Sequence, residues 1–172
     1  MEGIFQVIVD LILAQPRHID YPLFRYRLPE WKKYFNRVLI ALTQDTMPPD
    51  ITNWLVSSPE YKDVRWVRPP QPDGKSDWRD LAMKDVVKNF AWSPYILFFE
   101  QDFLIKDPSF FERVINNLEM YDFIYHQEGD RVHPAFALVK RDLVMNTTLD
   151  FAAHPPYDHF GEFFKELLFL TD

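Results

Sequence analysis

Glu100 and Asp102 are the two acids whose spacing first suggests chemistry. They follow the apolar run Tyr95-Ile96-Leu97-Phe98-Phe99, which is bounded by Pro94 and too short for an isolated helix. Such a run suits a strand buried on both faces, in the middle of a sheet covered by helices. Side chains alternate along a strand, so Glu100 and Asp102 leave on one side and Gln101 on the other. Two carboxylates at the carboxyl end of a buried strand stand where open α/β sheets bind ligands. Oxygen donors of this kind suit a hard divalent cation, Mn²⁺ or Mg²⁺. The plainer alternative is that the acids only mark where the strand meets water.

The elements that must position them follow from the pattern on either side. Residues 4–13 are β-branched and apolar and end at Gln15-Pro16, a first strand, with a helix on the stripe Phe5, Ile8, Val9 and Ile12 as the competing reading. Residues 21–35 carry aromatic and basic residues around Pro22 and Pro29, predicting a broken helical segment on the surface. Residues 37–42 form a second buried strand that ends in Thr43-Gln44-Asp45. Pro48-Pro49-Asp50 opens a helix, with Asp50 as its N-cap, and residues 64–67 are a short third strand. Asp77 caps the clearest helix, in which Trp78, Leu81, Ala82, Val86 and Phe90 recur at helical spacing, with Lys84, Asp85 and Lys88 elsewhere.

After the acids, Asp107-Pro108 starts another helix with Phe111, Val114, Ile115 and Leu118 on its buried side. Residues 122–127 and 132–139 are two strands joined across Gly129-Asp130, a hairpin. Residues 157–170 form a last helix, so rich in Phe and Leu that its apolar surface runs nearly all round. That helix calls for cover from this domain, a second copy in a homo-oligomer, or a peripheral membrane contact. The order predicts one α/β domain over residues 1–172, with a mostly parallel sheet and a late antiparallel hairpin. In such a sheet Asp45 and the Glu100/Asp102 pair share a rim, the expected site.

Composition narrows the classes. The 172 residues are 47% hydrophobic and include 16 Phe, ample for a packed core and inconsistent with disorder. The 19 basic against 26 acidic residues give a formal net charge of −7, which argues against general nucleic-acid binding. With no Cys, thiolate metal sites, disulfides and cysteine nucleophiles are excluded, which is compatible with a cytoplasmic protein. The first residues lack a basic leader, and their apolar run is interrupted by Asp10, so neither a signal peptide nor a transmembrane helix is expected.

Residues 91–102, AWSPYILFFEQD, resemble the helix end, strand and acidic DxD motif of GT-A glycosyltransferases, especially glycosyltransferase family 2. Lys84-Asp85 falls where that family has an Arg-Asn pair, and Glu100 stands in place of its first Asp. His133-Pro134-Ala135-Phe136-Ala137-Leu138 resembles the family's strand near the acceptor, and Gly161-Glu162 the start of its later acidic motif. The resemblance implies a GT-A-like three-layer α/β/α fold and transfer of a sugar from a nucleotide diphosphate sugar to a glycan or other acceptor hydroxyl. It implies Mn²⁺ or Mg²⁺ on Asp102 and Glu100, with His154 and His159 as further metal contacts. Asp45, Asp77, Lys84, Asp85 and Gln101 would bind the nucleotide sugar, and Asp158 and Glu162 are the candidate catalytic bases. Two other functions fit the same acidic rim: a non-catalytic nucleotide-sugar or glycan binding module, and a metal-dependent nucleotidyltransferase.

Overall fold

Alternation along the central apolar runs sends successive side chains to opposite cores, and that alternation builds the layers. The computed structural model describes residues 9–14, 16, 20–42, 47–67, 78–154 and 159–171. Strands β1 (Val9–Ala14), β2 (Arg37–Ala41), β3 (Val64–Val67) and β4 (Tyr95–Phe99) pair in parallel. Strand β6 (Arg131–Lys140) runs antiparallel to β4, and β5 (Phe123–Glu128) pairs antiparallel with β6 at the edge. The six-stranded order is β3-β2-β1-β4-β6-β5. The chain therefore builds outward from β1 to β3, then returns to lay β4 on the other side of β1. That reversal is a topological switch point, where a crevice opens beyond the carboxyl ends of the strands.

On one face Leu11, Leu13, Val38, Ile40, Leu97 and Phe99 pack with α1 (Tyr21–Tyr34), α2 (Pro49–Ser57) and α4 (Phe110–Asn116). On the other, Ile12, Leu39, Ile96 and Phe98 pack with α3 (Trp78–Asn89), α5 (Arg141–Met145) and α6 (Gly161–Thr171). All five residues of β4 are buried, as its unbroken apolar sequence requires.

Several local expectations are corrected. Residues 21–34 form one continuous helix that buries Tyr21, Phe24, Leu28 and Trp31, not a broken surface segment. Pro22 occupies its first turn, and Pro29 lies on the exposed flank, where water can meet the carbonyl that proline leaves unbonded. Asp50 is not the N-cap of α2: Pro48 holds that position, and Asp50 sits in the first turn beside the helix's positive end. Helix α4 begins at Phe110, and Asp107 Oδ1 accepts the Ser109 N–H at 2.9 Å just before it. In α3 the buried face also includes Met83 and Val87. Gly129 takes φ +61° at the hairpin tip, a left-handed conformation that glycine adopts without cost from a side chain. Helix α6 buries Phe163, Phe164 and Leu167 but leaves Phe169 85% exposed, so its apolar surface is only partly covered within this chain. Among the described residues no helix is long and apolar enough to cross a membrane.

The residue that interrupts the first apolar run, Asp10, is fully buried and ties the amino ends of three segments together. Its carboxylate accepts from Arg37 Nε at 3.1 Å and Nη2 at 2.6 Å, on β2. It also accepts the Trp92 and Ser93 backbone N–H groups at 2.8 and 2.9 Å, and Ser93 Oγ at 2.7 Å. Arg37 in turn lies over the Trp92 ring, 4.6 Å from its centroid. Removing one partner of a buried pair strands the other charge. Asp10→Ala is therefore expected to lower unfolding free energy by about 3–5 kcal/mol in urea denaturation, and Asp10→Asn by less, because the amide oxygen keeps part of the acceptor role.

Candidate functional site

The rim at the switch point holds a pocket of about 240 Å³ between β1 and β4. Ile12 and Ala14 enter from β1, Phe98 and Phe99 from β4, and Arg79 and Met83 from α3. Glu100, Gln101 and Asp102 form one wall, and Pro134 and Phe160 another. The acids are carried by a tight turn closed by the Phe103 N–H donating to the Glu100 carbonyl at 3.0 Å. Glu100 and Gln101 are half-buried, and Asp102 is exposed.

Two devices hold that turn. The first is Arg27 of α1, which is only 7% exposed. Its Nη1 donates to the Gln101 and Phe103 carbonyls, both at 2.6 Å. Its guanidinium lies 5.1 Å from the Trp31 ring centroid and 5.4 Å from that of Phe99. Burial pulls the Arg27 pKa down while Glu30 and then Asp102 pull it back up, and a guanidinium keeps its proton regardless. The second device is a detour in β6. Tyr125 pairs with Ala137, but its neighbour His126 pairs with His133, so β6 carries Pro134, Ala135 and Phe136 against no residue of β5. Proline has no N–H for the ladder, which suits it to such an irregularity. The Ala135 carbonyl accepts the Glu100 N–H at 3.1 Å, docking the acid turn on the detour.

A third feature stores strain at the rim. Phe160 has φ +71°, unfavourable for a side chain with a Cβ. Its ring is held by Phe151 at 5.2 Å and Phe98 at 6.0 Å between centroids. The packing keeps Phe160 in the pocket wall.

Of the residues singled out from sequence, Glu100, Gln101 and Asp102 come together in this pocket. Lys84 and Asp85 do not line it. Lys84 Nζ is 2.8 Å from Asp80 Oδ2, and Asp80 Oδ1 accepts the Phe151 N–H at 2.8 Å, so this pair anchors the segment leading to α6. Asp85 accepts from Asn89 Nδ2 at 2.7 Å. His154 contacts the Asp150 carboxylate at 2.8 Å on the surface. His159 Nδ1 lies 3.2 Å from the Phe151 carbonyl and lines a neighbouring cavity of about 140 Å³. Glu162, in the first turn of α6, pairs with Lys165 at 2.8 Å. Asp45, Asp77 and Asp158 lie outside the described residues.

Sequence reasoning missed Arg27, Arg79 and Phe160, and it placed Pro134 only within the strand that resembles the family's acceptor-side strand. Arg27 carried a signal: it falls within the Phe24, Leu28, Trp31 stripe, where a cation must find partners to be buried. Arg79 carried none that separates it from Lys84, since both lie on one helix and only the docking of α3 decides which reaches the rim.

Burial is the largest influence on Glu100 and raises its pKa; His133 lowers it, Asp102 raises it and Arg79 lowers it. A carboxylate so disfavoured in its charged form gains most from an arriving cation. Glu100 and Asp102 are oxygen donors of the kind that Mn²⁺ or Mg²⁺ would take, with the remaining coordination left to water and substrate phosphates. Among the described residues no group of three or more His, Asp or Glu side chains is placed to hold a metal ion. No protein-family model matches the chain, and no curated protein is significantly similar to it.

The folded chain holds the Glu100 proton to higher pH than the unfolded chain does. The contribution of Glu100 to stability is therefore fullest below the ordinary glutamate pKa of about 4.3 and is lost as pH rises through the folded value. Glu100→Gln is expected to be more stable than the parent near neutral pH, with the difference vanishing in acid, as measured by thermal unfolding across pH. Arg27→Met, which keeps the apolar stem, should cost about 2–3 kcal/mol through the two lost charge-assisted bonds, and faster amide exchange at 101–103 is its local signature.

Proposed function

We propose that the protein binds a nucleotide diphosphate sugar at this rim and transfers its sugar to an acceptor hydroxyl in a metal-dependent reaction. The observation that carries the reading is the placing of Glu100 and Asp102 together, at the switch point of a mostly parallel sheet, with Arg79 across the pocket. The mixed sheet with its late antiparallel hairpin is compatible with the GT-A architecture that residues 91–102 resemble.

Breaking the sugar–phosphate bond builds negative charge on the departing diphosphate. A divalent cation held by Asp102 and Glu100 would supply Lewis-acid neutralisation of that charge. Arg79 adds a fixed positive charge on the opposite wall, suited to phosphate oxygens. Arg27 keeps the acid turn in one shape, so the carboxylates need not reorganise when the donor arrives. Phe98 and Phe160 give one side of the pocket an apolar wall. For an inverting transfer a base must take the acceptor proton, the role for which Asp158 and Glu162 are candidates.

The test is a thermal-shift screen of UDP-, GDP- and dTDP-sugars with and without Mn²⁺, followed by assays of transfer and hydrolysis. Stabilisation by a diphosphate sugar only when metal is present, together with turnover, is the expected result. Asp102→Ala should abolish that stabilisation while leaving the unliganded melting temperature nearly unchanged, because the residue is exposed at a turn. Binding without turnover would make the protein a nucleotide-sugar binding module, and a preference for free nucleoside triphosphates would make it a nucleotidyltransferase. Binding indifferent to Asp102→Ala would move the site elsewhere.

A further inference from the structure

We propose that His133 is a positioning residue for the acid turn: it fixes the β6 detour in the shape that presents the Ala135 carbonyl to Glu100. The consequence for ligand binding rests on the donor-site reading above; the geometry does not. The Ala135 N–H donates to His133 Nδ1 at 3.1 Å, and the Ala135 carbonyl accepts the Glu100 N–H at 3.1 Å. One peptide unit thus links the imidazole to the residue that begins the acid turn. A side-chain acceptor for the N–H two residues ahead is the arrangement that Asn and Asp make in Asx-turns, here made by a ring nitrogen. It supplies the bond that β5 cannot give, because the detour has no counterpart there.

The bond also sets the ring's protonation. Nδ1 must keep its lone pair, so the single proton of the neutral ring sits on Nε2, 3.4 Å from Glu128 Oε2. A second proton would have to enter at Nδ1, where the Ala135 N–H already points. The other groups around the ring are His126 of β5, 5.4 Å away between centroids, Glu100 of the acid turn, and Asp130, Arg131, His159 and Lys165 around the adjoining cavity. His126 also packs on Phe103, 5.1 Å between centroids, directly after Asp102.

The experiment uses the full chain and two variants, His133→Asn and His133→Leu, observed by amide NMR and by titration with Mn²⁺ in the presence of UDP. Asn can accept the Ala135 N–H; Leu cannot. His133→Asn should keep the parent's Mn²⁺–UDP affinity and its Glu100 amide exchange rate. His133→Leu should exchange the Glu100 amide at least about fivefold faster and bind Mn²⁺–UDP about five- to tenfold more weakly, as loss of one hydrogen bond implies. A Glu100 amide whose exchange His133→Leu leaves unchanged would overturn the proposal, as would a folded His133→Asn no better than His133→Leu. If no form binds Mn²⁺–UDP yet the Glu100 amide still follows residue 133, the donor-site reading fails and the positioning role stands.

Discussion

The fold depends on a buried charge. Asp10 sits in the central strand with no exposure, and its carboxylate collects five donors from β2 and from the segment that enters β4. A buried ion pair of this kind adds little net stability over an apolar replacement, but it is intolerant of misalignment. Any slip of β1 against β2 or β4 would leave a carboxylate or a guanidinium in the core without partners. The cluster is best understood as fixing register. Two strands pinned together at their amino ends then run side by side to the switch point, and the crevice at their other ends inherits that alignment.

The rim itself is governed by a different balance. Arg27, the β6 detour and the packed ring of Phe160 all hold it rigid, while Glu100 and the left-handed backbone of Phe160 both work against folding. Local instability held in place by surrounding structure is the usual signature of a binding or reacting site. Here it is concentrated within one turn, one strand irregularity and one helix entry. The amino end of the sheet shows the opposite character, with each polar group of the Asp10 cluster satisfied.

How much of this could be seen in the residues depended on whether the deciding contact was local. The β4 run, the α3 stripe and the Gly129 turn were legible because each is written within a few consecutive positions. Helix α1 was read as broken because Pro29 looks the same in sequence whether its flank faces water or core. Asp10 was legible only as an interruption; its five donors come from residues 27 and some 82 positions away. Lys84 was singled out through the family resemblance, and nothing pointed to Arg79, because a helical pattern gives faces, not the rotation at which the helix docks. Helix α5 is five residues long, too short to show a period. The detour at residues 134–136 had Pro134 as a cue, yet its meaning came only from the partner strands. The place of the acids at the carboxyl end of β4 was legible from the apolar run, but β4 ends at Phe99, and the turn that follows brings Gln101 to the same pocket as Glu100 and Asp102, where strand alternation had put it on the other side.

The position of β6 has a consequence for how the chain emerges during synthesis. Strand β4, with five buried side chains and no charge, is finished well before the strand that pairs with its free edge exists. Until residues 131–140 arrive, the nascent sheet presents an apolar, unsatisfied border of the kind that recruits other chains. The hairpin that brings β6 also brings the carbonyl on which Glu100 docks. Covering the border and completing the acidic turn are therefore one event, and a ribosome stalled between the two would release a sticky fragment rather than a partly working protein.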